Sequence, residues 1–160
     1  MKRFLLFVLL ALLGTMLYFM YSDGLIYWQF IPLMAIVIAA YYVSANVVTR
    51  HMVEKQREEK DFFIVKGNIS SKDGKELIVG ALVATENELV FYRRKGAFGG
   101  LQVIWSGFVS ALEEYTIGRI DDQHYGITLS FRGGEDVKIG SSSISKKEAE
   151  FRAAIGWKEE

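Results

Sequence analysis

The chain has 160 residues, 51% of them hydrophobic, with 19 basic and 19 acidic side chains and a net charge of zero. Neutrality removes the long-range field a nucleic-acid binder would use, and a charged fraction of 24% argues against a disordered chain. With no cysteine and two histidines, disulfides, thiolate metal sites and thiol nucleophiles are excluded and little is left for zinc.

The charges are unevenly spread. Residues 4–22 and 24–49 carry none, whereas residues 54–160 carry 16 Lys/Arg and 18 Asp/Glu. Residues 4–21 would span roughly 27 Å as a helix and 25–48 roughly 36 Å, against a bilayer core of about 30 Å. Both are therefore expected to be transmembrane helices, joined as a hairpin by Ser22-Asp23-Gly24. Tyr18, Tyr21, Tyr27 and Trp28 gather around that turn as an aromatic belt. Lys2 and Arg3 before the first span, and Arg50, His51 and Lys55 after the second, place both termini in the cytoplasm by the positive-inside rule. The expected location is thus the inner (cytoplasmic) membrane, with two passes. The rival reading is a cleaved signal peptide; the apolar run is long for one, and no Ala-x-Ala-like site precedes Asp23.

Ala11, Gly14 and Thr15 on the first span, and Ala35, Ala39, Ala40 and Ser44 on the second, permit close helix packing, either within the hairpin or against another membrane protein. Pro32 is a potential kink. Neither span contains an ionisable group, so no proton or ion path is expected. Residues 50–61 continue with helix formers and charge pairs at helical spacing, such as Glu54–Arg57 and Arg57–Asp61. They read as a solvated helical spacer.

From Phe62 the period becomes that of strands. Seven are expected: Phe62–Ile69, Glu76–Ala84, Glu88–Arg94, Leu101–Trp105, Ala111–Ile120, Tyr125–Phe131 and Asp136–Gly140. Gly107–Glu114 could instead hold a helical turn. One helix follows. Ser145-Lys146-Lys147-Glu148 has capping-box spacing, Ile144, Phe151, Ala154 and Ile155 share a face, and Gly156 stops the helix before Trp157, which is expected to fold back on the sheet.

Gly80-Ala81-Leu82-Val83-Ala84-Thr85-Glu86-Asn87-Glu88-Leu89-Val90-Phe91-Tyr92 resembles the second and third strands of bacterial pleckstrin-homology-like (PH-like, GRAM-like) domains. Val103-Ile104-Trp105 with Gly107–Leu112 is similar to that family's next segment, and Ser145–Trp157 to its closing helix. The likeness covers about residues 62–157; its motifs are loose, and the glycine-rich Gly96–Gly100 turn departs from it. It implies a mainly-β barrel of about seven strands closed by a C-terminal helix, acting as a non-enzymatic binding or assembly module. It supplies no catalytic residue and no cofactor. The order of elements also matches, in layout only, membrane proteins with a C-terminal OB-like barrel; the final helix favours the PH-like arrangement.

The chemical signals are weaker. Ser143-x-x-Lys146 has the spacing of an acylating pair, but its companion motifs are absent and helix capping accounts for it. Asp121-Asp122-Gln123-His124 lacks a second ligand cluster and reads as a turn. Ser141-Ser142-Ser143 has no orienting base, and Glu113 and Glu114 on a strand face opposite ways. Gly96, Gly99 and Gly100 form neither a dinucleotide nor a Walker loop. The patch with most content is Arg93, Arg94 and Lys95 followed by Phe98. It is either a hairpin with solvated charges or a turn that meets anionic headgroups, at about 1 kcal/mol per base, with Phe98 inserted.

The expected function is therefore a membrane-anchored, non-enzymatic PH-like module at the cytoplasmic face. Its expected partners are the bilayer, a membrane protein or a second copy, and anionic lipid. The alternative is a small accessory subunit of a transporter or membrane protease complex, held through its helical hairpin.

Overall fold

In the computed structural model the described residues are 14, 15, 17–19, 21, 30–70, 77–96, 99–121 and 124–157. The chain divides into two compact units, one of which comprises Asn46–Lys95 and Gly99–Glu160.

Before that unit, helix α1 runs over Phe30–Asn46, 17 residues without a charge. Among the described residues no helix is long and apolar enough to cross a membrane. The expected first span, 4–21, falls mostly outside them; the expected second, 25–48, is described from Phe30 on. Its helix ends at Asn46, and residues 47–49 are not helical.

The larger unit is a mainly-β antiparallel sheet with a C-terminal helix. Its strands are β1 (Phe63–Ser70), β2 (Leu77–Ala84), β3 (Glu88–Arg94), β4 (Leu101–Phe108), β5 (Leu112–Arg119), β6 (Tyr125–Phe131) and β7 (Glu135–Gly140), in the order β4-β3-β2-β1-β7-β6-β5. All seven expected strands are present, but β4 runs three residues past the expected Trp105, to Phe108. The helical turn allowed for near Gly107–Glu114 is also present, as a 3₁₀ segment at Val109–Ala111.

β1 joins two half-sheets. It pairs with β2 over its whole length but with β7 only through Asn68–Gly140 and Ile69–Ile139. Glycines make the crossing: a Cβ on Gly67 would lie 2.6 Å from the Gly140 carbonyl oxygen, and one on Gly126 would strike the backbone of Ile139. The halves then share one core, with Phe63, Leu82, Leu89 and Phe91 from the first meeting Ile127, Leu129, Phe131 and Ile139 from the second.

The sheet is not closed, which corrects the expectation of a closed barrel. β4 and β5 are consecutive in sequence yet occupy opposite edges. The 3₁₀ turn between them spends its backbone groups elsewhere: the Val109 N–H donates to the Asn87 carbonyl, and the Ala111 carbonyl accepts from the Arg132 N–H. These bonds hold the corner without a ladder between β4 and β5.

Two short helices complete the unit. Helix α2 (Arg50–Arg57) was expected to be a solvated spacer, but it lies on the outer face of the first half-sheet. Val48, Val53 and Phe62 pack there against Ala81, Val83, Val90 and Tyr92, and Val53 is fully buried. The expected pairing of Arg57 with Glu54 and Asp61 gives way to bonds with Glu59, Glu88 and Tyr92.

Helix α3 (Glu148–Ala154) buries Phe151, whose ring meets Phe63 and Tyr115 edge-on at 5.5 and 5.3 Å. The capping box is not formed, because Ser145–Lys147 is a 3₁₀ turn and makes no side-chain cap. The far end behaves as expected. Gly156 has φ +62°, and the Gly156 and Trp157 N–H groups donate to the Ala153 and Arg152 carbonyls in a Schellman stop. Trp157 turns back onto Tyr115, with ring centroids 5.4 Å apart.

Candidate functional site

The end of the sheet that bears the β1–β2 and β3–β4 connections carries the most chemical content. There the expected basic turn extends the β3–β4 hairpin. Arg93 and Arg94 are still in β3, opposite Gln102 and Leu101, and the Lys95 N–H donates to the Gly100 carbonyl at 2.9 Å. Gly96 has φ +66°, a conformation that favours glycine. Arg93 and Lys95 are exposed and Arg94 is half-buried; strand alternation sends Arg93 and Arg94 to opposite faces. The three bases therefore do not form one flat positive surface. Phe98 lies outside the described residues.

Beside the start of β7 is a groove of about 550 Å³, lined by Ile69, Ile78, Ile104 and Trp105 with Glu135, Asp136 and Lys138 among the β7 residues on its wall. The β3–β4 register slips between Phe91 and Tyr92, so that Phe91 faces Trp105 while Tyr92 faces Val103 and Ile104 is the extra residue. Trp105 tilts against Phe131, centroids 5.4 Å apart, and so fixes one wall. Sequence reading singled out Val103-Ile104-Trp105 as a family-like segment but not as a groove, since a bulge leaves no periodic mark.

A half-buried polar cluster lies elsewhere, where α2 meets β3. The Arg57 side chain is only 11% exposed and bonds to Glu88, to Glu59 at 3.1 Å and to the Tyr92 hydroxyl at 3.4 Å. Burial on its own would lower the pKa of this guanidinium; the bonds to Tyr92, Glu88 and Glu59 and the Glu88 charge outweigh it and raise the pKa above its ordinary value. A cation tied this firmly is a clamp between α2 and β3.

The remaining sequence candidates make local hydrogen bonds. The Ser141 hydroxyl donates to the Lys66 carbonyl at 2.7 Å and lies 3.3 Å from the Ser143 hydroxyl, which ties the end of β7 to β1. Asp121 accepts from the His124 N–H at 2.7 Å and faces its Nδ1 at 2.8 Å, an exposed turn of the kind the sequence suggested. Among the described residues no group of three or more His, Asp or Glu is placed to hold a metal. Glu113 sits at a bulge in β5, and both it and Glu114 are exposed.

No family model matches the chain, and no curated protein matches it. Nine chains of solved structures do. One is the crystal structure of the C-terminal domain of an unknown protein from Leishmania infantum, 11% identical, with a TM-score of 0.50 over 68% of this chain and 94% of that one. This is a likeness of fold.

Proposed function

We propose that this protein is a non-enzymatic, membrane-anchored PH-like module that holds a recognition domain at the cytoplasmic face of a membrane. The observation that carries the reading is the change at residue 46. An almost uncharged apolar stretch ends there, and a self-contained β unit begins. Met34, Ile36, Ile38, Tyr41 and Tyr42 of α1 are exposed, as suits a helix surrounded by lipid or by other apolar helices. Two half-sheets bridged by β1 and one terminal helix support the PH-like reading, as does the Gly80–Tyr92 segment, which forms β2 and β3 as the resemblance implies. The anchor keeps the domain within a few nanometres of the bilayer and raises its effective concentration there.

The test is extraction and capture with the full-length protein. It should remain in the membrane pellet after an alkaline wash. After mild solubilisation, partners captured by the full chain should be retained by residues 46–160. Release by the wash removes the anchor. Retention by residues 1–45 instead would favour the second reading, an accessory subunit held through its helices, which the exposed apolar α1 residues also suit.

A further inference from the structure

The open edge of β1 borders a second cleft. β1 pairs with β7 only at Asn68 and Ile69, so Phe63–Gly67 have β2 on one side and no strand on the other. Beside that stretch lies a cavity of about 390 Å³. Thr49, Arg50, Lys66, Ser143 and Lys147 supply its polar side chains, next to Val48 and Ile64, and no carboxylate lines it. The neighbouring cleft, which shares Arg50 and Lys147, is lined by Asp61, Glu86 and Glu150 as well. Acceptors on the open edge are already engaged: the Ser141 hydroxyl donates to the Lys66 carbonyl at 2.7 Å, and Lys147 Nζ to the Ile64 carbonyl at 3.5 Å. The N–H groups of Ile64 and Lys66 leave the strand on the same edge as those carbonyls. Arg50 is partly committed, to Glu54 Oε1 at 3.2 Å and to the Lys60 carbonyl at 2.8 Å. Among the described residues, Lys66 and Lys147 pair with no carboxylate. What this cleft offers is positive charge and hydrogen-bond donors.

We propose that this cleft binds a phosphate group, with Lys66 and Lys147 as its principal cations. A phosphomonoester carries close to two charges and three free oxygens. It can meet two ammonium groups, the Thr49 and Ser143 hydroxyls and a strand N–H together, whereas a carboxylate has one charge and two oxygens. The Thr49 side chain, at the N-cap of α2, caps no helix N–H and is left for such a contact. The place of the cleft in the chain gives the source of the phosphate as a lipid headgroup. Arg50 follows the last residue of α1 by four residues, at most about 14 Å of chain. This choice of source rests on the membrane-anchor reading, in which that reach keeps the cleft beside the headgroup layer, where basic pockets take anionic lipids. A soluble phosphate would present the same group without the bilayer.

The test is a titration of the full-length protein in a non-ionic detergent, followed by calorimetry. The probes are dioctanoyl phosphatidate, dioctanoyl phosphatidylcholine and inorganic phosphate. Phosphatidate should bind saturably and at least tenfold more tightly than phosphatidylcholine. Lys66→Gln with Lys147→Gln should weaken it at least tenfold. Arg119→Gln with Arg132→Gln removes the same charge at two exposed positions elsewhere on the domain and should change it less than twofold. An unchanged thermal midpoint without ligand shows that the first double variant keeps its fold; if it does not, Lys66→Gln alone, at an exposed position, decides by a threefold loss. Phosphatidate at least tenfold tighter than inorganic phosphate supports the lipid source; comparable binding of both, lost together in the Lys66 and Lys147 variant, supports the site with soluble phosphate as its ligand. No saturable binding of either, no loss in that variant, or equal loss in the two double variants overturns the proposal. The alkaline wash tests the anchor separately. Protein that stays in the pellet yet binds neither phosphate probe refutes the cleft and leaves the anchor, while protein released by the wash whose binding falls with Lys66 and Lys147 refutes the anchor and leaves the cleft.

Discussion

In the first half-sheet the segments Gly80–Ala84 and Leu89–Tyr92 are buried on both faces, whereas β7 in the second is buried on one. β2 and β3 place Leu82, Leu89 and Phe91 in the shared core and Ala81, Val83, Val90 and Tyr92 under α2 and Phe62. β7 instead alternates, with Val137 and Ile139 inside and Asp136 and Lys138 outside. The difference explains the sequence texture. The doubly covered part of β2 reads as a continuous apolar run, Gly-Ala-Leu-Val-Ala, whereas a strand covered once reads as apolar and polar in turn. It also teaches that residues 46–62 belong to the β domain. They form its second cover and are no passive spacer.

The sharpest way to break this comparison is to remove the second cover. A fragment beginning at Phe62 loses Val48 and Val53 and uncovers Ala81, Val83, Val90 and Tyr92. It should aggregate where residues 46–160 stay monodisperse in size-exclusion chromatography at low concentration; equal behaviour would make α2 dispensable.

Next in size is the shared core. Phe151→Ala removes a fully buried ring that touches Phe63 and Tyr115, and it should cost about 3–5 kcal/mol in denaturant unfolding of residues 46–160. Val53→Ala probes the outer cluster with a smaller deletion, at about 1–3 kcal/mol, and should leave a single cooperative transition. Two separated transitions would mean that α2 undocks independently.

The Arg57 clamp is a smaller term. Glu88→Gln leaves the mostly buried guanidinium with Glu59 and Tyr92 and should cost about 1–2 kcal/mol. Because the pKa of Arg57 is raised on folding, its contribution is fully present below the unfolded value and is lost only as pH rises through the folded one. The difference between wild type and Arg57→Met should therefore stay flat between about pH 8 and 9, above the range in which carboxylates and histidines ordinarily titrate and below that of tyrosines and lysines. A decline within that window would show that the guanidinium is not the group responsible. Smallest is Glu148→Ala, which breaks an exposed pair with Arg152 at 2.9 Å and should shift stability by about 0.3–0.5 kcal/mol.

Strand period, turn residues and the Gly156 stop were written locally, and for that reason the seven strands and the end of the last helix could be read from residues alone. So could the uncharged stretches that motivate the anchor. Other features depend on neighbours distant in sequence. Arg57 takes Glu88 and Tyr92 rather than its helical neighbours because docking α2 brings β3 within reach. Ser145 does not cap α3, because the preceding residues wind into a 3₁₀ turn around the buried Ile144. The groove beside Trp105 brings together residues of β1, β2, β4 and β7, and the Val109–Ala111 corner gives its backbone bonds to Asn87 and Arg132 where β4 and β5 do not pair. Alternation and turn chemistry thus determined which segments are strands, though not that β4 runs on to Phe108. Only the tertiary structure decided which faces are covered and which strands form the sheet edges, since both depend on what the rest of the chain brings against each strand.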